Sequence, residues 1–401
     1  MVDQLFNTRF QLIRRSAFVS ACLLTMLGST LPASTACAQS PVATEKKAAT
    51  APAQSPTQVD QAKLVRSIYE STKTVKTAKQ LTAFVAQCDS ALKHKLSSKN
   101  IEYVTSLRGW ALNLRGQNRM AVALQLKQVG NSQYDSVLKQ AMDDFDEAIL
   151  NAPDRYRSWM ARGIALAQTG EYRKAALDFT SVIKLKTDLT DGWFNRAESL
   201  YHLGQFEAAI NDYETVLRLK SDDPQALTGI GHSKLALGKT AEALTNYQAV
   251  AKLQPNSPNV YVNIGDAFQE LGKWKSAQAN FDKSISIKPT GVALQRSAWL
   301  KATCPEKSFR DPGQAIQLAN RAISLTGESV TNLDTLAAAQ AANGKYGAAK
   351  TTQQKTVVLA SATEKADSES TGPSAYQARL ALYTEEKPYT QTKTNKKSDS
   401  P

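Results

Sequence analysis

The sequence is poor in the residues that build metal sites, disulfide frameworks and membrane spans. Its 401 residues include four cysteines and three histidines, and aromatic residues make up 7% of the chain. No histidine pair has H-x-x-x-H spacing, and no histidine stands at zinc-ligand spacing from cysteines. The chain has neither a glycine-rich phosphate loop nor a G-x-S-x-G elbow. We therefore predict no catalytic residues, no metal site and no cofactor, and we expect the protein not to be an enzyme.

The only sustained apolar run is near the N-terminus. Residues 17–31 follow three arginines and have about the length of a signal-peptide core, which is too short to span a membrane. Ala36-Cys37-Ala38 then fits the small-x-small rule for cleavage before Gln39. We predict a signal peptide over 1–38 and a periplasmic or secreted protein.

Two variants of this signal remain as alternatives. Arg14-Arg15 with Phe18 is similar to a twin-arginine signal, although the Phe is one place late. Cys37 could be the cysteine of a lipoprotein, but Ser34 stands where such signals prefer Leu. We expect membrane association only if Cys37 is lipidated. Residues 39–57 are rich in Ala, Pro and Thr and are predicted to form a disordered linker.

Charge is distributed unevenly along the chain. The formal net charge is +13. Residues 39–130 carry 14 basic and 5 acidic side chains, whereas residues 156–290 carry 16 and 14. The basic excess is therefore a property of the N-terminal region. Lysines there are compatible with contact with an anionic polymer, but a solvated helix face is the favoured interpretation, because runs of charge usually serve solubility.

Four copies of one 34-residue pattern occupy Tyr156 to Thr290. Each copy has a large position, a tight-packing position, a turn glycine, a second small position and a ring position. In this order the four copies contain Trp159, Trp193, Leu227 and Tyr261; Gly163, Ala197, Gly231 and Gly265; Gly170, Gly204, Gly238 and Gly272; Ala175, Ala209, Ala243 and Ala277; and Phe179, Tyr213, Tyr247 and Phe281. Apolar residues recur within each copy at helical spacing.

This pattern resembles the tetratricopeptide repeat, a 34-residue helix-turn-helix unit. The resemblance implies an all-α fold, an α-α superhelix of about six to seven stacked helix pairs with N-terminal capping helices. One copy cannot bury its apolar face alone, so copies must stack. Cys88 and Cys304 would lie at opposite ends of such an array, so we predict two buried thiols and no disulfide.

The regions flanking the four regular copies are less regular. Residues 58–96 are predicted to form a capping helix pair. Residues 102–155 resemble a copy in which Gly116 is the turn glycine and 117–136 is an insertion. The insertion is either a projecting binding element or a lengthened helix pair. The acidic cluster Asp143-Asp144 with Asp146-Glu147 is predicted to be a solvated helix face.

The C-terminal part is predicted to hold two degenerate copies over 296–361. Pro305 should end a helix early, and Asp311-Pro312 should begin the next one. A closing helix is expected at 374–383, followed by a disordered tail at 384–401. Three segments resemble a family of exported tetratricopeptide proteins of planctomycete-type bacteria, namely 298–305, 333–339 and 379–383 with Lys387-Pro388-Tyr389.

The resemblance implies that a ligand would lie along the first helices of the copies. Positions 2, 5, 9, 12 and 13 of each first helix line the groove of such arrays. The candidate groove residues in this chain are Phe194, Glu198, Tyr201, His202, Gln225, Thr228, His232, Asn259, Val262, Asp266, Gln269 and Glu270. The family's carboxylate clamp is absent, because Met160 and Ile164 stand where Lys and Asn would have to precede Asn195.

These features predict a non-enzymatic scaffold that binds a protein or peptide outside the cytoplasm. The alternative is a protein that binds a surface polymer through its basic N-terminal region. An enzyme with its site in the insertion or near Cys304 has the weakest support. Nucleic acid is not an expected partner.

Overall fold

Every regular element in the described part of the chain is a helix. The computed structural model describes residues 56–75, 77–364 and 373–391. The predicted signal peptide, most of the predicted linker, Lys76 and residues 392–401 lie outside these ranges. Within them there is no strand, and no helix is long and apolar enough to cross a membrane. The all-α class is confirmed.

The described chain divides into two units, residues 1–203 and 204–401. The first unit contains α1 (Pro56–Thr72), α2 (Ala78–Leu92), α3 (Ser98–Gln128), α4 (Tyr134–Asn151), α5 (Tyr156–Gln168), α6 (Tyr172–Leu185) and α7 (Thr190–His202). The second contains α8 (Phe206–Leu219), α9 (Pro224–Ala236), α10 (Thr240–Leu253), α11 (Pro258–Glu270), α12 (Trp274–Ile287), α13 (Gly291–Thr303), α14 (Pro312–Thr326), α15 (Val330–Ala342), α16 (Tyr346–Glu364) and α17 (Pro373–Thr384).

The 34-residue period reappears in the helix starts. First helices begin at Tyr156, Thr190, Pro224 and Pro258, each 34 residues after the last. The turn between the helices of a copy falls on a glycine with positive φ, for example Gly238 at 76°. A side chain at such a φ would be strained, so glycine is the natural residue there.

The tight-packing positions bring the two helices of a copy into close contact. In α11, Gly265 faces the ring of Phe281 on α12, and a Cβ built on this glycine would lie 2.4 Å from Phe281 Cε1. Gly231 meets Tyr247 at the same distance. The glycine therefore makes room for the ring, and the ring fills the space between the helices.

The prediction of a turn at Gly116 is wrong. Gly116 is buried within α3, where an added Cβ would lie 2.8 Å from Phe145 Cε1. Gly116 therefore makes room for the ring of Phe145, as Gly163 makes room for the ring of Phe179. The turn lies instead at Gly130, which has a φ of 63°. Glycine serves both purposes in this repeat, and the sequence pattern does not distinguish them.

Because the turn lies at Gly130, most of the predicted insertion 117–136 belongs to the helices of this copy. The packing glycine Gly116 precedes the turn glycine Gly130 by 14 residues, whereas Gly163 precedes Gly170 by 7. From the turn glycine to the small alanine of the second helix, the spacing is 11 residues in the lengthened copy and 5 in the regular one. Between the packing positions and the turn, the pair therefore extends by 7 and 6 more residues, equivalent to about two helical turns on each side. The lengthened helix pair, and not a separate projecting element, is what the structure contains.

The prediction for the acidic cluster is wrong for Asp144. Its side chain is buried and accepts hydrogen bonds from Arg115 Nη2 and Arg119 Nη1, both at 2.6 Å. The other three acids are exposed, as predicted. The same type of pair recurs in the next copy, where Arg162 binds buried Asp178 at 2.7 and 2.8 Å.

The predicted tail is wrong over residues 385–391. Beyond α17 these residues pack back onto α13, where the backbone N–H of Gln391 donates to the carbonyl of Thr303 at 2.9 Å. Other details match the sequence. Helix α13 ends at Thr303 before Pro305, and Asp311 caps α14 by accepting from the Gln314 N–H. Cys88 and Cys304 are buried thiols that form no disulfide.

Candidate functional site

In the second unit, the candidate surface is the outer face of the first helices α9 and α11. His232 on α9 is half-buried, with its ring 5.6 Å from that of Tyr247. Thr228 bonds to the Pro224 carbonyl at 2.7 Å, so its hydroxyl is partly engaged within the helix. Gln225 is half-buried and Asn259 is exposed at the start of α11. These four predicted residues and Asp266 are polar and lie at least partly exposed on α9 and α11.

Asp266, Gln269 and Glu270 form the polar end of α11. Arg296 of α13 donates from Nε to Asp266 Oδ2 at 3.1 Å. Burial raises the pKa of Asp266, and Arg296 only partly opposes this. Glu270 accepts from the Thr240 hydroxyl at 3.0 Å. Gln269 Oε1 is buried and has no hydrogen-bond partner among the described residues.

Val262 does not belong to an accessible surface, and its inclusion among the groove residues is wrong. It is 4% exposed and packs with Trp274, Phe281 and Leu300 in the apolar core. The fifth position of α11 thus holds a core residue.

In the first unit, the candidate residues on α7 form an aromatic cluster. The rings of Tyr172 and His202 stack 4.4 Å apart at 15°, and Tyr201 meets His202 edge-on at 5.7 Å. Burial raises the pKa of Tyr201 to about 12, with a further contribution from Glu198. Phe194 and Glu198 are half-buried on the same helix. Tyr172 was not predicted, because it is the first residue of the second helix α6, which is not a groove position in the repeat.

Another candidate binding surface is a groove between α1 and α3. It is an open groove of about 430 Å³ lined by Arg66, Tyr69, Asn100 and Tyr103, among others. Both tyrosines are 39% exposed, and the Lys73 ammonium lies 5.2 Å from the Tyr69 ring. Aromatic faces, amides and cations of this kind can hold a polar, anionic chain.

The three C-terminal segments singled out in the sequence meet in one buried cluster. Arg379 on α17 donates from Nε and Nη2 to the two carboxylate oxygens of Asp334 on α15, both at 2.8 Å. Its guanidinium lies 5.6 Å from the ring of Trp299 and 5.3 Å from that of Tyr389. Gln353 donates to the same carboxylate at 3.0 Å. This arrangement fixes the closing helix and contains no reactive geometry that we recognise.

Metal chemistry has no candidate site within residues 56–75, 77–364 and 373–391. No group of three or more His, Cys, Asp or Glu residues there could hold a metal ion. The two thiols are equally unsuited to nucleophilic work, since Cys304 is buried in the core and burial raises the pKa of Cys88 to about 12.

Comparison with known families identifies the repeats. Tetratricopeptide-repeat models match residues 138–188, 198–238, 231–272 and 258–290. No curated protein matches the chain.

Several solved structures are similar to parts of the chain. The structure of yeast Tom70 is 16% identical with a TM-score of 0.47, over 76% of this chain and 60% of that one. YrrB, described as a TPR protein with an unusual peptide-binding site, is 21% identical with a TM-score of 0.36, over 44% and 88%. A tetratricopeptide repeat protein from Parabacteroides merdae is 14% identical with a TM-score of 0.43, over 69% and 98%.

Proposed function

We propose that this chain, a tetratricopeptide-repeat protein, is a non-enzymatic scaffold that binds a protein segment along its first helices. The observation that carries the proposal is the outer face of α9 and α11. There His232, Asp266 and Gln269 are polar and half-buried, so each keeps part of its surface accessible on α9 or α11. A peptide backbone offers N–H donors that such a face can accept.

The first unit would contribute aromatic contacts. Tyr201 and His202 present rings on α7, and rings of this kind anchor peptides because they bury large area at little entropic cost. The face of each unit is a surface in its own right, so a ligand could use either one.

Site-specific photo-crosslinking in the cells that make the protein tests this proposal. A benzophenone amino acid replaces Gln269 on α11 or, as a matched control, the exposed Gln248 on the second helix α10. We expect a discrete protein adduct from position 269 and none from 248. Equal adducts from both positions, or none from 269, would contradict binding on the first helices.

We further propose that the scaffold works outside the cytoplasm, on the strength of the predicted signal peptide over 1–38. The mass of the N-terminal peptide of the mature protein tests this. A chain beginning at Gln39 supports simple export, and a lipidated Cys37 supports a tethered form. An intact N-terminus in the mature protein would contradict both.

A second candidate function is binding of an anionic polymer in the groove between α1 and α3. The exposed rings of Tyr69 and Tyr103 beside Arg66 favour it. Binding to an anionic polysaccharide should weaken steeply between about 50 and 200 mM salt, as screening predicts. It should be lost in Arg66→Ala with Tyr69→Ala, and binding that survives both changes would rule out this groove.

A further inference from the structure

We propose that residues 387–391 are an intramolecular ligand, which occupies a docking surface for an extended peptide on α13 and α15. The inference rests on the proposed function in one respect, that first helices are the binding face. It adds the location of a second docking surface, the chemistry of the segment it fits, and the identity of its resident occupant.

The position of Tyr389 places the segment on a first-helix face. Its ring lies 5.8 Å from Trp299 of α13 and packs in the cluster that contains Ala338 and Ala339 of α15. Ala338 is the ninth residue of α15, the place that Asp266 takes in α11. The groove position that is open on α11 is therefore covered on α15 by a side chain from the chain's own terminus.

Hydrogen bonds fix the segment in a peptide-like manner. Helix α13 ends at Thr303, whose carbonyl receives the backbone N–H of Gln391 at 2.9 Å. The Gln391 amide also donates to the Thr303 hydroxyl at 2.6 Å, and Arg310 donates to the Thr390 hydroxyl at 3.1 Å. The segment thus combines one ring contact with main-chain and side-chain hydrogen bonds, the two kinds of contact that an extended peptide ligand also makes.

The segment has no regular secondary structure and only a few anchors. Residues Lys387, Pro388 and Thr390 are exposed, and only Tyr389 and Gln391 are half-buried. In contrast, α17 is held by the buried Arg379–Asp334 pair. Between them Glu386 has a φ of 56°, an uncommon value for a residue with a side chain, so the chain reverses there at some cost. Tyr389 also contacts α17, because the Arg379 guanidinium lies 5.3 Å from its ring and Tyr383 belongs to the same cluster. Release of the segment would remove these contacts and the reversal at Glu386 but would keep the Arg379–Asp334 pair.

The chemistry of the partner follows from the seated residues. The surface fits an extended segment with an aromatic residue, followed two places later by a side-chain amide. A protein with such a segment would have to displace residues 387–391. The tethered segment has an effective concentration of about 1 mM, so it would compete with such a partner at all times.

Peptide binding in trans tests the proposal. A chain that ends at Glu386 keeps α17 and its ion pair but lacks the occupant. A labelled peptide of residues 385–391 is titrated against this chain and against the full chain, with a peptide carrying Tyr389→Ala as the control. We expect saturable binding to the shortened chain, binding about tenfold weaker to the full chain, and none of the control peptide.

Three outcomes would overturn the proposal. In the first, the shortened chain folds, as judged by its helical circular dichroism, and does not bind the peptide. In the second, the full chain binds the peptide as tightly as the shortened chain. In the third, the shortened chain does not fold, which would make the segment a part of the core. As a second route, full-length Tyr389→Ala should bind the wild-type peptide.

The test separates this inference from the proposed function. Crosslinks from Gln269 report on the open face of α11, and the peptide titration reports on α13 and α15. If peptide binding is observed without a crosslink from position 269, the proposed function is wrong and this inference stands. If the crosslink forms without peptide binding, this inference is wrong and the proposed function stands.

Discussion

Two pairs of copies in the second unit differ in the residues that pack between the two helices of each copy. In the open pair, α9–α10 and α11–α12, the eighth residues of the helices are Gly231 with Tyr247 and Gly265 with Phe281. In the closing pair, α13–α14 and α15–α16, the eighth residues are Ala298 with Ala319 and Ala337 with Gln353.

The difference explains why the closing copies look degenerate in sequence. A ring over a glycine fills a copy from within and leaves its outer face free. Gln353 instead extends from the ring position to the carboxylate of Asp334, which also receives Arg379 from α17. The closing copies have lost the repeat's motif residues where their side chains receive the end of the chain. We learn that departures from a repeat motif can mark where the array meets a different element.

The largest expected effect is at the ion pair that holds α17. Asp334→Ala leaves Arg379 buried without its carboxylate and should lower the free energy of unfolding by about 3–5 kcal/mol. The matched change on the open pair is Asp266→Ala, whose side chain is 28% exposed against 8% for Asp334. It should cost less, about 1.5–3 kcal/mol, because Arg296 loses one hydrogen bond to the carboxylate whereas Arg379 loses two. Urea unfolding of both variants measures the two losses in free energy of unfolding. Equal losses would contradict the expected difference between the two ion pairs.

The next effect concerns the ring positions. Gly265→Ala places a methyl group 2.4 Å from Phe281 and should cost about 2 kcal/mol, because the ring must move. The reverse change in the closing pair, Ala298→Gly, should cost about 1 kcal/mol through helix propensity. Thermal melts of the two variants distinguish the packing types. A neutral Gly265→Ala would show that the ring moves without cost.

Removal of the Tyr389 ring should have a smaller effect on stability. Tyr389→Ala loses a half-buried ring beside Trp299 and should cost about 1.5 kcal/mol. The conservative variant Tyr389→Phe keeps the ring and should remain within about 0.5 kcal/mol of the parent. A change in Trp fluorescence with Ala but not with Phe would support the contact, and identical spectra would refute it.

The smallest effect lies within the open pair, at the helix starts. Asp223 caps α9 through the N–H groups of Gln225 and Ala226, whereas Ser257 makes no side-chain cap on α11. Asp223→Ala should cost about 1 kcal/mol at neutral pH, and Ser257→Ala much less. Denaturant titrations at pH 7 measure both.

The cap should also be pH-dependent. Burial alone would raise the pKa of Asp223, but hydrogen bonds from Lys220 and from two backbone amides lower it below its usual value. The carboxylate's contribution is therefore complete above the unfolded pKa of about 3.9 and declines as the pH falls through the lower folded value. The difference in free energy of unfolding between the parent protein and Asp223→Ala should therefore become smaller in that acidic range. A gap that widens on acidification would contradict the assignment.

The regular copies could be read from the sequence because their information is local. Helix starts 34 residues apart, turn glycines and glycine–ring pairs all lie within one copy. The failures are at longer range. Gly116 was taken for a turn because its role depends on Phe145, 29 residues on, and Asp144 was taken for a surface acid because its partners Arg115 and Arg119 come from another helix.

The candidate site was predictable only in part, for a similar reason. Spacing along a helix indicates which residues share a face but not how deeply the next helix covers them. Val262 is therefore core, whereas Gln269 stays half-buried seven residues later. Tyr389 and Gln391 sit in a polar tail, and what orders them is contact with Trp299 and Thr303, nearly 90 residues earlier.

Hydrogen–deuterium exchange of the C-terminal segment tests the central contrast between open and closed faces most directly. We predict that the amide of Gln391, bonded to the Thr303 carbonyl, exchanges well below the rate of an unstructured peptide, and that Tyr389→Ala abolishes this protection. Exchange of Gln391 in the parent protein at the unstructured rate would contradict a seated segment and leave the face of α13 and α15 as open as that of α11.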